Sequence, residues 1–300
     1  MAAVQAGISP NPVPVAHVED RLALHPDDTP WNQITPSRTI VYHDCFDGLK
    51  CPRLLLPLDW SHGEPNGPEI AVAVIRRPAK VDVTDSRYGG AVIVNPSGPA
   101  ASGVHTLLQI GDRFQNIVEA DTDPKFDLHA TTSDDHYFDT ISFDPREVNH
   151  TLPQLDCFSN TFSRLVWSLG ADAEGFISNF NPAFDIKWSR YLSRSATYMK
   201  CIKAYGNESI AYYIDTRSVI DNIMAIAERH GQWWEAEARK ILQEMQRFLP
   251  WLECQRIPAN TEWRRQNEEV LFWGTSYGTI LGSVPAVLLQ RLLRRQHGSC

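Results

Sequence analysis

Short runs of β-branched and aliphatic residues alternate along the chain with longer stretches in which apolar positions recur every three or four residues. Residues 69–76 (EIAVAVIR) and 90–95 (GAVIVN) are apolar runs of strand length, and the second has the look of a buried central strand. Residues 138–144 (FDTISFD) form a further strand, stopped by Pro145, and 270–273 (VLFW) another. Between 39 and 60 the β-like runs are split by the turn dipeptide Asp47-Gly48. A turn at 96–103 leads into a helical pattern that reaches about Ala120. Asp215 or Thr216 can cap a helix through Arg229, with Val219, Ile220, Ile223 and Ile226 on one face and Gly231 as the expected stop. Trp234, Ala238, Ile241, Leu242, Met245, Phe248 and Leu249 make a second stripe, either core packing or a lid over a pocket. Tyr277 to about Arg295 is again helical. Strands alternating with helices imply βαβ units, so the expected fold is α/β with a mainly parallel sheet and helices on both faces.

Charge narrows the function. The net charge of −8 opposes a nucleic-acid role, which requires a basic face. Arg291, Arg294 and Arg295 read as a solvated helix end. The stretch from Val270 to Gln290 is uncharged, but Gly274, Gly278, Gly282 and Pro285 make it a poor membrane span. The first fifteen residues carry no basic residue and no apolar segment of signal-peptide length, from which a cytoplasmic location is expected. The six cysteines (45, 51, 157, 201, 254 and 300) contain no C-x-x-C pair, so no metal site is expected. For such a location reduced thiols are the default, and Asn149 and Asn207 stay unglycosylated despite their N-x-S/T sequons.

The chemistry concentrates in 271–282 (LFWGTSYGTILG). A strand ends at Gly274, Ser276 follows in G-T-S-Y-G, and a helix begins. Strand, G-x-S-x-G, helix is the nucleophile-elbow arrangement. Reversing the chain within so few residues puts the serine in strained backbone, and glycines at 274 and 278 remove Cβ atoms that would clash. The alternative is an ordinary tight turn. The glycine-containing turn after the 90–95 strand favours the elbow, because an oxyanion hole would find its second donor there.

Four stretches together resemble the tripeptidyl-aminopeptidase-like branch of the α/β-hydrolases, related to the proline iminopeptidases of peptidase family S33. They are CPRLLLPLDW (51–60), NPSGPAASG (95–103), FDTISFDPR (138–146) and WGTSYGTILG (273–282), in family order over roughly 39–288. The resemblance implies Ser276 as nucleophile and the backbone N–H groups of Gly98 and Tyr277 as oxyanion donors. Asp144 and Arg146 are implied to hold the turn after their strand. It implies hydrolysis of a peptide, ester or thioester through an acyl-enzyme, without metal or organic cofactor, on a small-molecule or peptide substrate. A cytosolic metabolic intermediate suits the expected location. Residues 1–38, rich in Pro, Asp and Ala without periodicity, read as a loose N-terminal arm with at most one short helix, and the resemblance makes 39–300 a partial hydrolase domain. Within that domain, 155–212 and 232–266 are candidate lid or inserted helical segments.

The chain also departs from the family pattern. Ser97, Ala100 and Ala101 stand where the family has glycines, and Glu147 stands where it has the glycine of D-P-R-G. The triad order of this fold is serine, then acid, then histidine. After Ser276 there is no Asp or Glu and one histidine, His297. The chain therefore reads as shortened after the elbow helix, with C-terminal strands and much of the lid missing and with acid and base unassigned. His105 and His150 lie near the expected site edge but read as incidental. An open sheet edge is expected to favour self-association or a partner. The second functional reading is an inactive homologue acting as a fold remnant or partner-binding module.

Overall fold

The structure is a computed structural model and describes residues 31–62, 67–121, 123–124, 135–158, 160–174, 184–206, 209–248 and 270–284. Seven strands make the sheet: β1 His43–Cys45, β2 Leu49–Cys51, β3 Arg53–Pro57, β4 Glu69–Arg77, β5 Tyr88–Asn95, β6 Tyr137–Phe143 and β7 Leu271–Gly274. The helices are α1 Gly103–Val118, α2 Thr161–Glu174, α3 Phe184–Ala204, α4 Thr216–Phe248 and α5 over 277–284.

The strand order is β1-β2-β4-β6-β5-β7, with β3 also paired to β4. Pairing is parallel between β5 and β6 and between β5 and β7, and antiparallel at the other four interfaces. The expectation of a mainly parallel sheet is thus corrected to a mixed one among the described residues. Connection length is the reason. The tight turn at Gly48 (φ 73°) leaves no room for a crossover, so β1 and β2 run antiparallel; β3, which follows β2 after the single residue Pro52, pairs antiparallel with β4 as β2 does. Between β5 and β6 the chain has α1, and those two strands run parallel.

Residues 70–75 of β4 are fully buried, and their alternation divides them between two faces. Ile70, Val72 and Val74 meet Val219, Ile220, Ile223 and Ile226 of α4, as the apolar stripe predicts. Ala73 and Ile75 meet Val104 and Leu107 of α1 together with Trp31 and Ile34. Within the arm read as loose over 1–38, residues 1–30 lie outside the described residues, whereas Trp31 and Ile34 are buried in this second core. The helix expected to stop at Gly231 does not stop there: α4 runs on to Phe248, 33 residues in all. A helix-interior glycine costs only about 1 kcal/mol. Burial on both sides of Gly231 outweighs that cost, with Ile226 in one cluster and Trp234 and Ala238 in another.

The expectation of reduced thiols is also corrected. Cys45 and Cys51 bridge the β1–β2 hairpin, and Cys157 bridges Cys201 near the end of α3. Cys254 and Cys300 lie outside the described residues.

A polar network fills the end of the sheet where β5 and β6 begin. Arg76 clamps Asp139 through two hydrogen bonds of 2.7 and 3.0 Å, and Ala79 N–H and Tyr88 O–H add donors at 2.8 Å. His230 of α4 lies between Tyr42 (Nδ1 to Oη 2.9 Å) and Tyr88 (Nε2 to Oη 3.2 Å). The set is satisfied if Nε2 carries the proton: Tyr42 then donates to Nδ1, and Nε2–H donates to Tyr88, which donates onward to Asp139. Although His230 Nε2 lies 3.4 Å from Asp139 Oδ2, burial outweighs that attraction, and the Arg76 charge opposes protonation further. The His230 pKa is lowered to about 4.

A depressed histidine pKa means that the unfolded chain takes up a proton between pH 6.5 and 4 while the folded chain does not. His230 should therefore remove about 3 kcal/mol of stability across that window, and none above it. Urea denaturation at pH 7.5, 5.5 and 4.5 checks this: the acid-induced loss should be smaller in His230→Gln than in wild type.

Candidate active site

The parallel strands β6, β5 and β7 end side by side, and the chain leaves each through a loop. After β7, Thr275 leads into Ser276 at φ 52°, a left-handed conformation that L-residues rarely adopt, and α5 begins at Tyr277. The turn is held from three directions. Thr275 N–H donates to Asn95 O at 3.3 Å, and its hydroxyl donates to Pro96 O. The Ser276 carbonyl accepts from Thr279 N–H at 3.0 Å and from the Thr279 hydroxyl at 2.6 Å. A Cβ on Gly274 would lie 2.4 Å from Gly278 O, and one on Gly278 would lie 2.4 Å from Asn95 O. Both glycines are therefore dictated by close approach of strand and helix, not by φ.

The loop after β5 runs beside this turn. Gly98 has φ 133°, and a Cβ built on it would be 3.3 Å from Tyr277 Cδ1, so the loop backbone lies against the first residue of α5. Neither Gly98 N–H nor Tyr277 N–H donates to a turn or loop carbonyl among the described residues. The Tyr277 phenol is fixed by Thr216 Oγ1 at 2.9 Å, at the start of α4. Ala100 takes φ 72°, where a glycine would carry no penalty; a Cβ there costs about 1 kcal/mol.

Asp144, immediately after β6, holds the loop in place. Its Oδ1 accepts from Ser102 Oγ (2.6 Å) and Val104 N–H (3.2 Å), and its Oδ2 from His150 N–H (3.1 Å). Burial raises the Asp144 pKa, and these donors work against that rise. Ser102 in turn caps α1 by accepting from His105 N–H at 3.0 Å. Arg146 reaches back to the Leu58 and Pro57 carbonyls and to Asn222 Oδ1 (3.0 Å), with burial lowering its pKa to about 10.

Ser276, Tyr277 and Gly98 are thus brought together. The candidate histidines are not joined to them. The Ser276 hydroxyl is exposed and makes no hydrogen bond to a described side chain. His105 is exposed on α1, and the His150 ring stacks on Trp31 with centroids 4.7 Å apart. His297 lies outside the described residues. No group of three or more His, Cys, Asp or Glu side chains among the described residues is arranged to hold a metal ion. The sequence reading missed the Ser102 cap, although a serine directly before an amphipathic stretch is an N-cap signal. It also missed the Thr216–Tyr277 contact, for which no sequence signal exists.

No family model matches the chain. It is 35% identical to carboxylesterase B of Mycobacterium tuberculosis over 108 residues, which is 36% of this chain and 16% of that protein. Over 113 residues it is 33% identical to serine protease Hip1 of the same organism, covering 38% and 17%. Over 232 residues it is 22% identical to YuaR of Escherichia coli, a protein named a hydrolase, covering 68% and 42%. The matched part of the chain therefore spans only 16% to 42% of the length of these curated relatives. The relatives are hydrolases, and the particular names divide between ester and protein cleavage.

The close approach at the elbow has a measurable consequence. Gly278→Ala should cost about 2–3 kcal/mol through overpacking. Gly170→Ala, whose added Cβ meets only Arg194 Nη2 at 3.3 Å and no backbone atom, should cost less. Urea midpoints of the two variants make the comparison.

Proposed function

We propose that the chain is a serine hydrolase of the α/β-hydrolase superfamily, in the S33-like branch, that cleaves a peptide, ester or thioester through an acyl-enzyme on Ser276. The observation that carries this reading is Ser276 at φ 52° between β7 and α5, with Gly98 packed against Tyr277. In this mechanism the Ser276 Oγ attacks the substrate carbonyl. The N–H groups of Gly98 and Tyr277 stabilise the oxyanion, the leaving group departs, and water releases the acid. Acid and base are unassigned. A second reading, an inactive homologue that binds a partner, is favoured by one observation: no described base is hydrogen-bonded to Ser276. Among the described residues β7 is an edge strand, with Leu271 and Trp273 more than a third exposed, and this edge is the surface such a partner or a second copy would use.

A fluorophosphonate probe separates the two readings. An activated serine is labelled and Ser276→Ala is not. An unlabelled wild-type chain would leave the partner-binding reading. If the chain is labelled but lacks a base, Ser276→Ala should remove only a small esterase rate, since an oxyanion hole and binding alone give about 10³–10⁴-fold over water.

The cytoplasmic location expected from the sequence has two disulfides against it, because cytosolic glutathione and thioredoxin keep thiols reduced. No helix among the described residues is long and apolar enough to cross a membrane. We assign the protein to an oxidising compartment, with substrates encountered there. Thiol titration of the native protein should count at most the two cysteines outside the bridges, Cys254 and Cys300, and all six should react after reduction.

A further inference from the structure

Two motifs of the sequence have no part in the hydrolase reading: the N-x-S/T sequons at Asn149 and Asn207. Asn207 lies outside the described residues. An unmodified state was expected of both because of a cytoplasmic location, and the two disulfides weigh against that location.

The turn after β6 presents Asn149 to solvent while Val148 and Thr151 on either side of it are buried. The Asn149 φ of 45° is left-handed, a conformation that asparagine tolerates better than most residues with a Cβ. Its side-chain amide makes one long hydrogen bond, from Nδ2 to Ser102 Oγ at 3.4 Å. One amide proton is engaged there, and the other is left for substitution. Thr151 is placed differently. Its Oγ1 donates to the Asp144 carbonyl at 2.6 Å and accepts from Ala73 N–H at 3.1 Å, with no exposed surface. The sequon requires that hydroxyl. A transferase must therefore reach this segment before the 144–151 turn closes onto β4.

We propose that Asn149 carries an N-linked glycan, transferred to the nascent chain before the turn folds. In the transfer, Asn149 Nδ2 attacks the anomeric carbon of a lipid-linked oligosaccharide. The N–C bond forms, the C–O bond to the lipid pyrophosphate breaks, the pyrophosphate leaves with the electron pair, and a base takes one amide proton. The second amide proton remains, so the hydrogen bond to Ser102 Oγ survives in the product. The glycan stands at the rim of a cavity of about 250 Å³ lined by Asn149, Gln154 and Tyr198, beside the serine that caps α1. A bulky, solvated group is accommodated there without disturbing the core. The inference rests on the oxidising-compartment reading and narrows that compartment to a secretory route with an oligosaccharyltransferase.

Peptide mass spectrometry of the native protein, after enzymatic release of N-glycans in heavy-oxygen water, tests it. The Asn149 peptide should carry the heavy-oxygen label. Secreted from a eukaryotic host, wild type and Thr151→Ser should both be labelled at this peptide, and Asn149→Gln should lose the label. Asn149→Gln leaves the buried Thr151 hydrogen bonds in place, and an unchanged circular dichroism spectrum shows that the loss is not one of folding. Microsomes should modify the nascent chain and not the refolded one. An unlabelled Asn149 peptide in the native protein, or equal modification of refolded and nascent chain, would each overturn the proposal. Thiol titration of the denatured, unreduced protein separates the two readings. Intact bridges with an unlabelled Asn149 refute the glycan alone, and a labelled Asn149 with all six thiols reactive refutes the disulfide reading alone.

Discussion

The carboxylate of Asp144 accepts one hydrogen bond from the Ser102 hydroxyl and two from backbone N–H groups, those of Val104 and His150, with no water-exposed surface of its own. The hydroxyl and the first N–H belong to the start of α1, and the other N–H to the turn that follows β6. Asp144 is also tied into the sheet, its N–H donating to Ala73 O and its carbonyl accepting from Thr151 Oγ1. The loop carrying Gly98 is held at its other end by the Thr275 hydroxyl on Pro96 O and by packing against Tyr277. Where that loop lies depends on Ser102, and Ser102 depends on Asp144. The left-handed backbone at Ala100, Glu147 and Asn149 is tolerated because this fixed point leaves the two loops no relaxed alternative.

Much of this frame could be read from the order of residues. Each apolar run of strand length became a strand, because burial on both faces of β4 and β5 requires uninterrupted small and branched side chains. The elbow was legible because close backbone approach demands glycine, and glycine at two fixed offsets from one serine is a compact signal. Strand direction was less legible. Sequence periodicity carries no sign for parallel or antiparallel, and the short connection at Gly48 decides it only for β1 and β2. Gly231 misled because glycine marks a helix end only when nothing on either side holds the helix together. Here Ile226 and Trp234 both do. The disulfides were unreadable for a different reason: spacing alone does not say which cysteines lie within about 6 Å in the fold.

The two ends of the sheet are built on opposite electrostatic plans. At one end Arg76, Asp139, Tyr88 and His230, with Tyr42, form a buried hydrogen-bonded set. Such an arrangement fixes register and adds rigidity. At the other end, the Tyr277 N–H, the Gly98 N–H and the carboxylate of Glu147 lack protein partners among the described residues. Unsatisfied groups destabilise a fold, and their concentration at one end is what distinguishes a surface prepared for a ligand from a structural core.

The bridge between Cys157 and Cys201 brings the two Cα atoms to 5.6 Å across 44 residues of sequence. The chain thus leaves and comes back to nearly one point. Whatever happens between those points is decoupled from strand register: lengthening α2, shortening α3 or exchanging the helical pair for another leaves the entry and exit fixed. In evolutionary terms the excursion is a cassette. Its apolar and basic residues can drift to suit new ligands while the elbow, the Gly98 loop and the Asp144 anchor stay under separate constraint.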